Sequence, residues 1–270
     1  MVAQQSILDG ENARFWSELC GSNLAEAEGI TDRSPEALNR FDRAYFEFYP
    51  YLLSYVQPER LRGKKVLEVG LGFGSVGERL AASGADYVGM DVSSGPVDMM
   101  NYRLQARGLA GVALQRSFLS NELPSSSFDA VVSIGCFHHT GDLERCIDEV
   151  HRILRPGGTC TIMVYNRYSL RQWLRWPVRT LAAAVGRPFA TSSSQRGAYD
   201  QNADGEAAPS TEFRSARELT KSFERFASVQ AQTENCDELR LLKVTVVSRR
   251  QLLPIVGRHL GLDVYVRATK

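Results

Sequence analysis

The feature that most constrains this chain is an apolar strand that runs into a glycine-rich turn, Val66-Leu67-Glu68-Val69-Gly70-Leu71-Gly72-Phe73-Gly74, with a helix following around residues 76–82. Glycine tolerates backbone conformations that other residues avoid, and it lets the chain approach a ligand closely. The N-terminus of the helix that follows favours a carboxylate or a phosphate. The run therefore predicts a strand–turn–helix unit that binds a ligand. A merely tight turn is the less favoured interpretation, because three glycines follow an acidic residue.

Short β-branched runs alternate with amphipathic helices after Lys65, which is typical of a parallel sheet covered on both faces. Strands are predicted near residues 65–70, 86–91, 112–115, 128–134, 158–164, 226–232 and 262–268. A helix is predicted over 143–154, and Arg155-Pro156-Gly157-Gly158 ends it. The predicted fold is α/β, a doubly wound and mostly parallel sheet of seven strands with an N-terminal helical cap and an insertion before the last strands.

Four regions are predicted in chain order: the helical cap at 1–62, the ligand-binding core at 63–166, a helix with an irregular lid or insertion at 167–225, and the closing strands with a helical excursion at 226–270. In the cap, Ser34-Pro35-Glu36 supplies an N-cap and a first turn, and Pro50 is expected to kink or divide the segment. Residues 187–213 are rich in small and polar side chains without clear periodicity, which indicates an irregular stretch that closes over a site.

The balance of charge limits the class of partner. The chain has 32 basic and 31 acidic residues and a formal charge of +1. A nucleic-acid-binding protein needs a broad surface that neutralises phosphates, so nucleic acid is not expected as a partner. A small molecule is the expected substrate, and a homodimer is left open.

The cysteines and the apolar runs indicate in which cellular compartment the protein is expected. Five cysteines are scattered without the close pairs of a zinc or redox site, namely Cys20, Cys136, Cys146, Cys160 and Cys236. They are interpreted as reduced core residues of a cytoplasmic protein, and no metal is expected. The N-terminus lacks a basic segment followed by an apolar run, and apolar stretches are too short to cross a bilayer, so stable membrane insertion is not expected.

A dinucleotide fingerprint competes for the glycine turn. Gly72-Phe73-Gly74-Ser75-Val76-Gly77 matches the spacing G-x-G-x-x-G. In a dinucleotide fold, however, the first glycine directly follows the strand, and here that residue is Gly70. Counted from Gly70, the third glycine position is Ser75, so the fingerprint fails. A nicotinamide-dependent oxidoreductase and a nucleotide-binding module without catalysis stay open as alternatives.

Asp91 closes the second predicted strand, where a carboxylate can accept both hydroxyl hydrogens of a ribose. Two further runs stand at strand ends in the same order, Phe128-Asp129-Ala130-Val131-Val132-Ser133-Ile134-Gly135-Cys136-Phe137-His138-His139-Thr140 and Leu154-Arg155-Pro156-Gly157-Gly158. Together with the glycine turn, these motifs resemble the Rossmann-like class I S-adenosylmethionine-dependent methyltransferases, above all the small-molecule branch that includes the ubiquinone and menaquinone biosynthesis enzymes. The resemblance covers roughly residues 63–165.

The resemblance implies S-adenosyl-L-methionine as the cofactor, with S-adenosyl-L-homocysteine as the product. It places the methionine end of the donor at Glu68 and the turn residues Gly70, Leu71, Gly72 and Gly74. It places the ribose at Asp91, the adenine at Val92, and the other side of the donor at Cys136 and Phe137. Relatives often have an aspartate after the third strand for the adenine amino group, whereas here Arg116-Ser117-Phe118 occupies that stretch. Backbone amides or the hydroxyl of Ser117 are the expected substitutes.

His138 and His139 follow the fourth strand, at the edge where ligands bind in open α/β sheets. A histidine titrates near neutrality and could accept the proton of a hydroxyl or amine acceptor. A histidine that bonds to the backbone or shapes the pocket is the equal alternative. Both are candidate catalytic residues, and His138 is at the position that faces the substrate in similar enzymes.

The acceptor side carries weaker signals. Trp16, Tyr45 and Tyr49 are candidates for an aromatic cover, although core packing is the more common role, and Tyr165 and Asn166 follow the fifth strand. Arg167, Arg171 and Arg175 stand at helical spacing beside two tryptophans. Such a face could contact a membrane or an anionic substrate, and a solvated surface is the more common case. The predicted function is methyl transfer to a small-molecule acceptor, with an oxygen or nitrogen atom favoured.

Overall fold

The N-terminal region is helical in the computed structural model of the protein, which describes residues 2–18, 22–189, 191–241 and 244–270. Its helices are α1 Val2–Phe15, α2 Ser22–Ala27, α3 Pro35–Phe48 and α4 Leu52–Val56, followed by a 3-10 turn at Pro58–Leu61. Ser34 caps α3, since its hydroxyl accepts the amide of Ala37 at 3.2 Å. Pro50 lies where α3 and α4 separate. Of the five cysteines, Cys20 lies outside the described residues.

The strands are β1 Lys65–Val69, β2 Asp86–Asp91, β3 Val112–Gln115, β4 Phe128–Ile134, β5 Leu154–Tyr165, β6 Ser228–Glu234, β7 Leu239–Leu241, β8 Val244–Val247 and β9 Asp263–Thr269. Within the described residues, seven of them form one sheet in the order β3-β2-β1-β4-β5-β9-β6. Strands β1 to β5 pair in parallel, and β9 runs antiparallel between β5 and β6. The predicted fold class is confirmed.

The helices that follow are α5 Ser75–Ala82, α6 Ser94–Arg107, α7 Leu143–Ile153, α8 Leu170–Arg175, α9 Pro177–Ala184, α10 Ser193–Gly197, α11 Ala216–Ser222, α12 Arg249–Leu252 and α13 Arg258–Leu260. A π-helical turn at Leu253–Gly257 joins the last two, and 3-10 turns lie at Phe118–Ser120 and Phe137–His139. Two elements of secondary structure differ from the sequence prediction. Strand β5 begins at Leu154 rather than near 158, and β7 pairs with β8 in a hairpin that was not expected.

The early start of β5 has a local cause. Phe128 pairs with Leu154 and Ala130 pairs with Thr159, so the register shifts between them and the intervening residues bulge out of the sheet. The sequence prediction ended the helix before the proline and glycines of this bulge, because these residues are unfavourable inside a helix. They do not break the strand, because the bulge accommodates them.

The sheet separates two apolar layers, since successive side chains of a strand point to opposite faces. Leu67 and Val69 of β1 pack in the cluster with the buried face of α7. Val66 packs on the other face, with residues of α5, α6 and α4. The carboxyl ends of β1, β2, β4 and β5 therefore meet at one edge, where the turns after the strands converge.

Candidate functional site

The glycine turn lies against the end of β4. Gly70 has φ +83°, and a Cβ added there would lie 2.3 Å from the Cβ of Cys136. Only glycine permits both the backbone angle and this close approach. Cys136 is half-buried at this contact, so the turn after β1 and the turn after β4 form one continuous surface.

Asp91 joins the glycine turn to the end of β2. Its carboxylate accepts the amide of Leu71 at 2.8 Å and the amide of Ser93 at 2.9 Å. Burial raises the pKa of Asp91 above its usual value, and these backbone amides oppose that effect. Each carboxylate oxygen has two acceptor positions, so further donors can still bind it.

Glu68 lies beneath the turn rather than on its open side. Its side chain is 3% exposed and accepts the hydroxyl hydrogen of Tyr87 at 2.5 Å. A Cβ at Gly77 in α5 would lie 2.5 Å from the same carboxylate, which locates it against that helix. Burial raises the pKa of Glu68 to about 8. Glu68 therefore supports the turn from beneath, and its contact with the methionine end of the donor stays a prediction.

The residues expected around adenine divide into accessible and buried ones. Val92 and Ser117 are half-buried at the ends of β2 and β3. Phe118 and Phe137 are 4% and 0% exposed, and their rings stack at 4.9 Å within the core. Phe137 was expected to line the donor. Its ring packs in the apolar layer below the edge, where the 3-10 turn after β4 directs it, and its contact with the donor stays a prediction.

His138 is enclosed at the end of β4. It has no exposed surface, and its ring lies 4.3 Å from that of Tyr165. Among the described residues, neither ring nitrogen has a hydrogen-bond partner of good geometry. Burial lowers the pKa of His138 well below its usual value, His139 lowers it further, and the carbonyl of Met163 opposes the shift. The imidazole is therefore neutral and can accept a proton or a hydrogen bond.

His139 contacts the insertion between β5 and β6. Its Nδ1 lies 2.7 Å from the carbonyl oxygen of Ser210, and its Nε2 lies 3.6 Å from Asp200. Asp200 also accepts the hydroxyl hydrogen of Tyr165 at 3.0 Å. Burial lowers the pKa of His139, and the nearby Asp200 opposes that shift. The sequence analysis missed Asp200, because it stands in an irregular stretch without a motif.

Two segments that are distant in sequence cover these histidines. From α1, the side-chain amide of Asn12 donates to the carbonyl of His139 at 2.9 Å, and the ring of Trp16 lies 4.8 Å from that of His139. From the insertion, the amide of Glu212 donates to the carbonyl of His138 at 2.7 Å. The end of α1 also reaches the start of α6, where a Cβ at Gly95 would lie 2.2 Å from the carbonyl of Ser17. The two segments together close the edge of the sheet over β2 and β4.

The remaining acceptor candidates separate in the structure. Tyr165 lies beside His138, as described above. Tyr45 and Tyr49 have rings 5.1 Å apart and belong to an aromatic cluster of α3, α4 and β9 that also contains Tyr51, Tyr55 and Tyr265.

Asn166 is 3% exposed. Its side-chain amide donates to the carbonyl of Gly261 and accepts from the backbone amide of Tyr168. Asn166 therefore holds a turn, and its contact with an acceptor stays a prediction.

The aromatic cluster contains polar groups that sequence reasoning did not identify. The hydroxyls of Tyr51 and Tyr265 are buried and have no partner among the described residues. Next to them, burial raises the pKa of Asp263 to about 7, and Asn235 donates to its carboxylate at 2.9 Å. Spacing in the sequence could not reveal this group, because its members come from α4, β9 and the chain after β6.

Comparison with known proteins identifies the family. Residues 67–162 match the family described as "Methyltransferase domain". The ubiquinone biosynthesis O-methyltransferase of Pseudomonas syringae pv. tomato is 30% identical over 182 residues, which cover 66% of this chain and 74% of that protein. The chain belongs to the class I S-adenosylmethionine-dependent methyltransferases. S-adenosylmethionine is its cofactor and a small molecule its acceptor, so the oxidoreductase and non-catalytic alternatives are set aside.

Other similarities agree with this methyltransferase assignment. The ubiquinone biosynthesis O-methyltransferase of Pectobacterium carotovorum is 25% identical over 180 residues, which cover 66% of this chain and 72% of that protein. Among solved structures, the YcgJ protein of Bacillus subtilis has a TM-score of 0.56 at 16% identity, covering 82% of this chain and 98% of that one. A methyltransferase of Archaeoglobus fulgidus has a TM-score of 0.55 at 14% identity, covering 83% and 94%. These two structures support the fold alone. None of the described helices has the length and apolar character needed to span a bilayer.

Proposed function

We propose that this methyltransferase methylates a hydroxyl oxygen of a small molecule that binds above the ends of β4 and β5, beside His138 and Tyr165. The observation that carries the proposal is the enclosed His138 ring, neither of whose nitrogens has a hydrogen bond of good geometry among the described residues. A buried polar atom without a partner costs about 1 to 3 kcal/mol. A ligand hydroxyl at this place would remove that cost. Two relatives are ubiquinone biosynthesis O-methyltransferases, which favours oxygen over nitrogen.

The residues at the ends of β1, β2 and β3 fit the methyl donor. Gly70 and Gly72 are half-buried, so their backbone is open to the methionine end of S-adenosylmethionine. The Asp91 carboxylate has acceptor positions left for the ribose hydroxyls. Val92 and Ser117 are accessible at the place proposed for adenine. When bound, S-adenosylmethionine supplies an electrophilic methyl group with a neutral thioether as leaving group.

The protein's own contribution is alignment, exclusion of water and a proton acceptor. The cover from α1 and the insertion keeps His138 out of solvent. Because burial keeps its imidazole neutral, His138 can accept the hydroxyl proton or hold the hydroxyl by a hydrogen bond. His139 and Asp200 position the insertion over the site through Ser210 and Tyr165. The insertion must move for the acceptor to enter, so it acts as a lid.

Other aspects of the proposal rest on composition. The nearly balanced charge favours a small-molecule acceptor without nucleic acid as a partner. The scattered cysteines, of which Cys146, Cys160 and Cys236 are buried and free, fit a reducing compartment such as the cytoplasm. A homodimer stays a prediction to be tested by analytical ultracentrifugation.

The decisive test combines donor binding, an acceptor screen and variants of His138. S-adenosylhomocysteine should raise the melting temperature, and hydroxylated aromatic compounds should be methylated in preference to their amine analogues. His138→Ala should lower the single-turnover rate by roughly 10² to 10⁴ while donor affinity stays close to wild type. The variant His259→Ala changes an exposed histidine elsewhere and serves as the control.

The pH dependence of the methylation rate shows whether His138 acts as a base or only shapes the pocket. Because the pKa of His138 is lowered in the folded protein, the wild-type rate should fall only well below pH 6.5, and His138→Ala should lose that limb. A folded His138→Ala enzyme with wild-type turnover throughout the acidic range would reject the role of His138. Methylation of amines with no reaction at hydroxyls would reject the oxygen acceptor.

A further inference from the structure

Helices α8 and α9 expose large apolar side chains to solvent. Val178, Leu181 and Val185 are 80%, 57% and 70% exposed, and Leu174 at the end of α8 is 65% exposed. The spacing of three and four residues places the first three on one face of α9. We call these four residues the α9 stripe. The opposite side of the helix, with Thr180 and Ala183, is buried against the protein.

The same segment carries a concentrated positive charge. Residues 167–199 contain six arginines and no acidic residue, whereas the whole chain has a formal charge of only +1. Arg167 and Arg171 pair with Glu218 and Asp237 of other segments. Arg175, Arg179 and Arg187 are exposed beside the stripe. An apolar stripe flanked by arginines is the pattern of a helix that lies in the interface of an anionic membrane.

A groove opens next to the stripe. It has a volume of about 620 Å³ and lies between α8, α9 and the start of α11. Tyr168 and Trp173 line one wall, and Ala184 of α9 forms its edge. The exposed side chains of Arg217 and Lys221 reach the groove from α11, together with Glu218, which is paired with Arg167. Aromatic rings prefer the level of lipid headgroups, and the two cations can bind a phosphate there.

We propose that α8 and α9 dock this methyltransferase on the surface of an anionic phospholipid bilayer. The α9 stripe enters the boundary between headgroups and acyl chains, and the exposed arginines with Arg217 and Lys221 contact lipid phosphates. Helix α9 has eight residues, so it lies on the membrane and does not cross it.

Charge decides between a membrane and a second copy of this chain as the occupant. A symmetric dimer through the stripe would bring the exposed Arg175, Arg179 and Arg187 of two copies into opposition, with no acidic residue in 167–199 of either copy. Like charges brought together in this way repel each other. An anionic bilayer offers both the apolar environment that the stripe requires and the negative charge that the arginines require.

Vesicle flotation with the full chain tests the proposal. The protein should float with vesicles of phosphatidylcholine and phosphatidylglycerol, bind vesicles of phosphatidylcholine alone at least about tenfold more weakly, and dissociate as salt is raised. Leu181→Glu should lower binding at least about tenfold, and Arg175→Gln with Arg187→Gln should lower it several-fold. Ile255→Glu alters a side chain that is 68% exposed elsewhere and should bind as wild type does.

Melting temperature and S-adenosylhomocysteine affinity should match wild type in every variant, which separates docking from folding and from the donor site. Failure of the wild-type protein to float with anionic vesicles would overturn the proposal, as would undiminished flotation of Leu181→Glu. A concentration-dependent dimer in solution that Leu181→Glu dissociates would also overturn it, since the stripe would then bind a second copy.

Discussion

The donor half and the acceptor half of the site differ in how the chain builds them. Apart from Ser117 after β3, the donor half comes from β1, its turn and the end of β2, which lie within residues 65–93 and pair directly. The acceptor half comes from the end of β4, the end of β5, α1 and the insertion, and the contact between Asn12 and His139 joins residues 127 positions apart. A site made from one short stretch leaves a motif in the sequence, and a site made from four distant ones does not.

The two halves differ also in the hydrogen bonding of their polar groups. On the donor side, Glu68 is bound by Tyr87, and Asp91 by two backbone amides. On the acceptor side, neither nitrogen of the His138 ring has a hydrogen bond of good geometry among the described residues. The donor half is therefore organised before its ligand binds, whereas the acceptor half leaves polar atoms to be satisfied by what binds there.

The largest effect on donor binding is expected from Asp91→Ala. The ribose would lose a charged hydrogen-bond acceptor and the amide of Leu71 would lose its partner, so S-adenosylhomocysteine affinity should fall roughly 10- to 100-fold. Isothermal titration calorimetry measures it, with Asp86→Ala at the exposed start of β2 as the control. Unchanged affinity in a folded Asp91→Ala protein would mean that the donor half lies elsewhere.

A smaller effect, on stability alone, is expected from Glu68→Gln. Because the pKa of Glu68 is raised to about 8 in the folded protein, wild-type stability should decline as pH rises from the unfolded-state value toward 8, by at most about 1.4 kcal/mol per unit. The variant should lose this decline and bind S-adenosylhomocysteine nearly as wild type does. Urea unfolding at pH 6 and pH 9 decides the matter, with exposed Glu59→Gln as the control. A strong loss of donor affinity would instead make Glu68 a direct ligand.

The smallest effect is expected from Tyr165→Phe on the acceptor side. Loss of its bond to Asp200 should loosen the insertion and speed amide exchange in residues 199–213 up to about tenfold, equivalent to about 1.4 kcal/mol. Donor affinity should stay within twofold of wild type. Hydrogen exchange read by mass spectrometry tests this, beside the half-buried control Tyr102→Phe. Loss of donor affinity would show that the two halves are coupled and not independent.

Sequence reasoning predicted the parallel core because its strands are continuous apolar runs and its turns carry glycine. It missed the β7–β8 hairpin, since the hairpin's strands are only three and four residues long. It placed His138 at the strand end but could not foresee the burial of Phe137, which depends on a 3-10 turn. Asp200 had no signal at all, because its role depends on where an irregular chain folds back.

The position of β9 has a consequence for how the molecule assembles. Within the main sheet, as far as the chain is described, β6 pairs only with β9, and β9 fills the place between β6 and β5. During synthesis, β1 to β5 can pair with one another as they leave the ribosome, since all five have been made by residue 165. Strand β6 must wait for residues 263–269 before it has a neighbour. Until then the edge of β5 is open to pairing with other chains, so we expect aggregation to compete with folding until the last strand arrives.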